Sequence, residues 1–126
     1  MQLVKFTELG YDTPGARYYT DGENSAEEYF DKFFNDKFHE ALRMNDRIIF
    51  YDEDLYGLPL VHFRTLIELT IEIYSPILVK EYIDIERSKI SDSLKNLFKE
   101  TIDVYLNKPI GYKHPDNLLH VKRYNR

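Results

Sequence analysis

The chain has 126 residues, with 17 lysines plus arginines against 22 aspartates plus glutamates, and it contains no cysteine and no tryptophan. A single hydrophobic core is normally filled by about 100–200 residues, so one domain is expected. A hydrophobic fraction of 43% argues against intrinsic disorder. The absence of cysteine excludes disulfides, thiolate metal sites and cysteine nucleophiles.

The charge is unevenly distributed along the chain. Residues 107–126 carry a net charge of +4, whereas the preceding residues carry −9. This split predicts an acidic body over residues 1–106 and a basic C-terminal tail over residues 107–126. Basic blocks often serve as interaction tails, and a solvated chain end is the alternative. If the tail makes contacts, they are predicted at Lys122, Arg123 and Arg126.

No segment has the composition of a membrane span. The apolar-leaning stretch over residues 58–79 is interrupted by charged side chains and by Pro76, whereas a spanning helix needs about 20 mostly apolar residues. The first six residues also lack the apolar core of a signal peptide. A cytoplasmic protein without a membrane partner is therefore expected.

The first 24 residues predict a hairpin-like opening. Residues 2–6 mix polar and apolar side chains in near alternation, as a half-buried strand does. Glycine, proline and aspartate follow and predict a turn, and residues 16–20 are compatible with a second short strand.

A helix is predicted to start after Ser25, because Glu28 follows it at the spacing of a capping box. Phenylalanines at three- and four-residue steps then give this helix one aromatic face, which is typical of a core; they are Phe30, Phe33, Phe34 and Phe38.

Residues 48–51 form a continuous apolar run, which predicts a strand buried on both faces at the centre of a sheet. A second helix is predicted from Leu60 and is expected to end before Pro76, because proline disfavours helical geometry in the preceding residue.

Apolar residues among charged ones over residues 77–85 predict another strand. Ser91 then offers an N-cap for a last helix, which Asn107 and Pro109 close. Strands alternating with helices predict an α/β fold, a small mixed sheet of about four strands with three helices packed against it.

Three adjacent carboxylates follow the predicted central strand. Asp52, Glu53 and Asp54 stand where open α/β sheets usually hold their ligands, and carboxylate oxygens are the ligands that Mg²⁺ prefers. Adjacent strand residues point to opposite faces, so only Asp52 and Asp54 could converge on a metal. A solvated strand end or the acidic edge of a partner surface is the alternative.

The remaining chemistry-bearing residues form no recognised catalytic pattern. The four histidines do not have zinc-ligand spacing, and no nucleophile elbow or phosphate-binding glycine loop is present. A basic surface for nucleic acid is available only in the tail. No enzyme activity and no cofactor is therefore expected, apart from metal-dependent chemistry at Asp52 and Asp54.

Several short segments carry a family resemblance. Residues 15–18, Gly22, residues 25–30, residues 48–52 and the pair Tyr56-Gly57 resemble the STAS-like domains of unknown function, small bacterial relatives of the sulfate-transporter and anti-sigma-factor-antagonist fold. The resemblance covers residues 2–106 and implies a four-stranded mixed sheet that acts as a binding and switching module. In such relatives a serine or threonine at the start of the helix after the central strand is phosphorylated. Here no hydroxyl precedes Thr65 in that helix.

The leading hypothesis from the sequence is therefore a non-enzymatic regulatory module that binds another protein, such as a kinase-like ATPase or a component of a defence system. A homodimer is compatible with the same reading. The partner surface is predicted at residues 52–62 and at exposed positions of the next helix, namely Asp52, Glu53, Asp54, Tyr56, His62, Arg64 and Glu68. The alternative is a small acidic inhibitor from a phage or mobile element, whose body mimics nucleic acid and blocks a basic cleft.

Overall fold

The computed structural model describes residues 1–5, 16–51 and 59–120, and the side chains of these ranges as far as residue 117. Most of the described residues are helical. None of the helices in these ranges is long and apolar enough to cross a membrane.

A two-stranded parallel sheet joins the N-terminus to the middle of the chain. Strand β1 (Gln2–Val4) pairs with β2 (Ile48–Phe50), with Leu3 opposite Ile49. All three residues of β2 are buried, which confirms the predicted strand. On its other side β2 is flanked by residues 83–89, where the Lys89 amide donates a 2.7 Å hydrogen bond to the Phe50 carbonyl. Parallel strands need a crossover connection, and the first helices provide it.

The crossover is one continuous helical stretch in three segments. It comprises α1 (Ala26–Tyr29), a π-helical segment (Phe30–Phe34) and α2 (Asn35–Met44). The predicted start is confirmed, because Ser25 Oγ accepts a 3.0 Å hydrogen bond from the Glu28 amide. The residues predicted as a possible second strand contain instead a 3₁₀ turn at Tyr19–Asp21.

The π-helical segment keeps the aromatic face directed into the core. The Asn35 amide bonds the Phe30 carbonyl five residues earlier, the wide spacing that defines a π-turn. Phe30, Phe34 and Phe38 are fully buried, and the Phe34 ring stacks on Phe50 of β2 with centroids 5.6 Å apart. The first helical stretch is thereby fixed against the sheet.

Helix α3 (Leu60–Ile73) is the central helix of the described fold. It packs against α1 and against the two helices that follow it in the chain, and its residues from position 65 to position 71 are all buried. The predicted helix over this region is confirmed, and it ends before Pro76 as expected.

The strand predicted over residues 77–85 is wrong. Helix α4 (Pro76–Tyr82) occupies most of that segment, and Ser75 caps it by accepting a 3.0 Å hydrogen bond from the Leu78 amide. A proline that ends one helix also suits the first turn of the next, because its fixed φ is already helical and its missing N–H is not needed there. Within residues 77–85, only Ile83 makes an isolated bridge to β2.

The last predicted helix is confirmed as α5 (Asp92–Leu106), with Ser91 at its N-cap and Asn107 at its C-cap. A short helix α6 (Pro115–His120) follows a turn. Residues 112–117, which belong to the predicted tail, lie against the body, and Asn117 is 2% exposed.

The predicted fold class is therefore wrong. The described residues form a helical fold around two parallel strands, not a four-stranded mixed sheet with three helices. Residues 83–89 run beside β2 but break into a turn at residues 85–87, so they add isolated bridges instead of a strand.

Candidate functional site

A polar hub lies where α3, α5 and the segments around Tyr18 and Asn117 meet, and all of its members except the half-buried Glu72 are buried. We define it by five side chains, Tyr18, Glu68, Glu72, Tyr105 and Asn117. Glu68 and Glu72 stand one turn apart on α3, and Tyr105 lies on α5. Tyr18 precedes the 3₁₀ turn, and Asn117 belongs to α6. Four segments distant in sequence thus place polar groups at one point.

Asn117 connects the members of the hub. Its Oδ1 accepts a hydrogen bond from the Tyr18 hydroxyl, and its Nδ2 donates one to Glu72 Oε2. Its side chain also hydrogen-bonds the Glu68 carboxyl. A buried amide has two donors and one carbonyl acceptor, and here all of these groups are used.

Glu72 accepts hydrogen bonds from three directions. Besides Asn117, the Tyr105 hydroxyl donates to Oε2 at 2.6 Å, and the backbone amide of His114 also hydrogen-bonds the carboxyl group. All three donors are uncharged groups. The Glu72 carboxylate is thus well solvated by the protein, but its charge is not neutralised by them.

The interior position of the hub changes the acidity of its members. Burial raises the pKa of Glu68, and the attraction of His114 and Arg64 only partly opposes this change. Burial likewise raises the pKa of Glu72, and the hydrogen bonds that its carboxylate accepts only partly oppose this change. Burial also raises the pKa of the Tyr18 and Tyr105 hydroxyls, so both act as donors at neutral pH.

The nearest charged side chains lie at the rim of the hub. Arg17 Nη1 is 3.6 Å from Asp116 Oδ2, and His114 Nδ1 is 3.8 Å from the same oxygen. Asp116 is half exposed, so these pairs are screened by solvent and contribute little stability. His114 also attracts the Glu68 and Glu72 carboxyl groups, and Arg17 acts on the Tyr18 hydroxyl.

A groove opens beside the hub. This α3–α5 groove has a volume of about 490 Å³ and lies between the α3–α4 junction and the turn after α5. Glu72 and Tyr105 connect the groove to the hub. Its other walls are mostly aromatic and aliphatic, with one lysine, and they include Tyr74, Ile77, Leu106, Lys108, Ile110 and Tyr112.

Chemically, the site offers a carboxyl group with a raised pKa next to an apolar groove. Such a group holds its proton to a higher pH than an ordinary carboxyl group, and it can accept hydrogen bonds or receive a cation once it is ionised. Within the described ranges, no group of three histidine, aspartate or glutamate side chains is arranged to hold a metal ion.

The residues predicted as a partner surface are only partly described. Asp52, Glu53, Asp54 and Tyr56, together with Lys122, Arg123 and Arg126 of the predicted tail, lie outside the described residues. Arg64 is exposed on α3, as predicted. Glu68 is 9% exposed and therefore belongs to the interior, contrary to its prediction as an exposed position.

His62, also predicted at the partner surface, is 1% exposed. Burial lowers its pKa to about 4, although a hydrogen bond with the backbone of Asn24 opposes this shift. The imidazole is thus uncharged at neutral pH and lies in the core at the start of α3.

Sequence reasoning did not identify Tyr18, Glu72, Tyr105 or Asn117. One local signal was present for Glu72, because Glu68 and Glu72 interrupt a helix that is apolar on almost every side. Two carboxylates at positions i and i+4 of such a helix must share a face, and on a central helix that face is buried.

Comparisons of the chain with protein-family models, with curated proteins and with solved structures find no match.

Proposed function

We propose that this chain is a protein–protein interaction module and that a segment of its partner docks in the α3–α5 groove. The observation that carries the proposal is the cluster of exposed aliphatic side chains around the groove. Ile77 is 66% exposed, Leu106 is also exposed, and Ile110 is fully accessible at the turn after α5. Contiguous exposed apolar surface next to a concavity favours a binding site.

The groove has the dimensions and the lining of a peptide-binding cleft. Its volume of about 490 Å³ accommodates two or three side chains of a partner, and aromatic walls supply large contact areas at low entropic cost. The partner segment should therefore present apolar side chains to Ile77, Leu106 and Ile110. Burial of these groups would supply most of the free energy of binding.

The proposal keeps the interaction role expected from the sequence but assigns it to a surface that the sequence did not indicate. It does not depend on a STAS-like sheet, and it needs no phosphorylated hydroxyl in α3. Regulation would act through occupancy of the groove by the partner segment.

The test is a selection of random peptides displayed on phage against the immobilised chain. Peptides that bind should lose about tenfold or more in affinity for the Ile77→Asp and Ile110→Asp variants, because each aspartate places a charge against the apolar segment. Fluorescence anisotropy with the synthetic peptides gives the dissociation constants.

Val104→Asp is the matched control. Val104 is 51% exposed on α5 but does not line the groove, so this variant should bind the selected peptides as the unmodified chain does. If no peptide is selected, or if Val104→Asp weakens binding as much as Ile110→Asp does, the groove is not the docking site.

A further inference from the structure

The α3–α5 groove contains a carboxylate whose charge is not balanced by an ion pair. Among residues 1–5, 16–51 and 59–117, no lysine, arginine or histidine side chain forms a salt bridge with Glu72, although His114 attracts its charge. Its donors are a tyrosine hydroxyl, an amide side chain and a backbone N–H. A cation that entered the groove would lower the electrostatic cost of this ionised group.

The walls around Glu72 also suit a cation. Tyr74, Tyr105 and Tyr112 line the groove, and the rings of Tyr105 and Tyr112 meet edge to face with centroids 5.4 Å apart. Tyrosine faces attract ammonium and guanidinium groups through the ring quadrupole. The aliphatic walls at Ile77 and Leu106 can at the same time cover the methylene stem of such a side chain.

One cation of the chain already uses this surface. The Lys108 ammonium lies 5.2 Å from the centroid of the Tyr112 ring, at the rim of the groove. Lys108 is exposed, so its side chain can leave the ring without losing a buried contact. The contact shows that the Tyr112 ring accepts a cation. The Lys108 ammonium would therefore compete with a cation of a bound partner for this ring.

We infer that the α3–α5 groove binds a lysine or arginine side chain of the partner, with its charged end at Glu72 and its stem against the aliphatic walls. This inference rests on the proposed function, because it names the partner residue that enters the same groove. An arginine fits best, because a planar guanidinium can stack on a tyrosine ring while it donates to a carboxylate.

The experiment compares two small probes of nearly equal shape. Propylguanidinium chloride carries the cation, whereas propylurea is its uncharged isostere. Both are titrated at constant ionic strength while the backbone amide signals of Lys108, Gly111 and Tyr112 are followed by ¹H–¹⁵N NMR. Propylguanidinium should bind about three- to tenfold more tightly than propylurea, the range expected for one partly exposed charge pair with an aromatic contact.

Two variants test the roles of individual residues. Glu72→Gln should remove most of the preference for the cation, whereas Lys108→Gln should increase the affinity for propylguanidinium about two- to threefold by removing a like charge. Lys108 is exposed, so this second variant remains informative if Glu72→Gln does not fold.

Equal affinities for the two probes, no binding of propylguanidinium, or an unchanged affinity in Lys108→Gln would each overturn the inference. Equal affinities would leave apolar docking intact, because that proposal depends on Ile77 and Ile110 and not on Glu72. Failure of the phage selection, or equal weakening of peptide binding by Val104→Asp and Ile110→Asp, would instead count against the docking groove itself.

Discussion

The side-chain amide of Asn117 donates a hydrogen bond to the carboxylate of Glu72, so a residue of α6 is fixed to the last turn of α3. The same amide accepts a hydrogen bond from Tyr18, near the N-terminus. Asn117 therefore connects the segment around Tyr18 and the C-terminal segment to the central helix, and its removal should lower the stability of the fold.

We expect Asn117→Ala to lower the free energy of unfolding by about 2–3 kcal/mol, because it leaves buried hydroxyl and carboxyl groups without a partner. Urea denaturation followed by circular dichroism measures the loss. Asp116→Ala is the control, since it removes only half-exposed ion pairs and should cost no more than about 1 kcal/mol. Equal stability of the two variants would show that the hub is not structural.

The buried carboxyl groups predict a distinctive response to pH. The pKa of Glu72 is raised in the folded state, so its native form binds protons more tightly than the unfolded form does. The stability that this group contributes is therefore fully present below its unfolded pKa and is lost as the pH rises through its folded pKa. Glu72→Gln should remove this pH dependence of the unfolding free energy. It should also weaken the pH dependence that Glu68 contributes, because the Glu72 charge raises the pKa of Glu68.

The measurement is the difference in unfolding free energy between the unmodified chain and Glu72→Gln, taken from pH 4 to pH 8. The difference should shift in favour of the variant as the pH rises. The control is Glu100→Gln, at an exposed position of α5. Its unfolding free energy should change with pH as that of the unmodified chain does. If the unfolding free energy of Glu72→Gln changed with pH as that of the unmodified chain does, the raised pKa of Glu72 would be contradicted.

His62 predicts the opposite trend. Its folded pKa of about 4 lies below the ordinary value of 6.5, so the unfolded chain takes up a proton first as the pH falls. Stability due to His62 is therefore present above pH 6.5 and is lost towards pH 4, by up to about 3 kcal/mol.

The variant His62→Gln isolates this effect. Relative to His62→Gln, the unmodified chain should gain stability from pH 4 to pH 6.5 in urea denaturation. His39→Gln, at an exposed position of α2, serves as the control. A profile of His62→Gln that follows the unmodified chain over this interval would contradict the burial of His62.

The aromatic contact between the first helical stretch and the sheet predicts a large stability difference between neighbouring residues. Phe34→Ala should cost about 3–5 kcal/mol, because Phe34 is fully buried against Phe50. Phe33→Ala, at a half-buried position of the same π-helical segment, should cost about 1 kcal/mol. Thermal unfolding ranks the two variants, and a reversed order would mean that the segment is an ordinary α-helix with a different face inward.

Local signals in the sequence predicted several elements correctly. Ser25 and Ser91 cap helices because a serine hydroxyl satisfies a backbone N–H only three residues away, an interaction that involves no distant part of the chain. The continuous apolar run at residues 48–51 also predicted a buried strand correctly, and its first three residues form β2.

Predictions failed where distant residues decide the outcome. The segment after Pro76 has apolar residues at spacings that suit either a strand or a helix. The Ser75 cap allows a helix to start there, and packing of α4 against α3 and α5 stabilises it. The hub was missed because Tyr18, Glu72, Tyr105 and Asn117 share no sequence neighbourhood. Their convergence depends on the tertiary fold, which was predicted wrongly.

The hub also constrains the order of events during synthesis. Its hydrogen bonds join residues that are 33, 45 and 99 positions apart, so none involving Asn117 can form until the segment that contains it has been synthesised. Contacts of such long range form late, because loop-closure entropy must be overcome first. Until that segment is in place, the nascent helical region lacks the hydrogen bonds that Asn117 gives to Glu72 and Glu68.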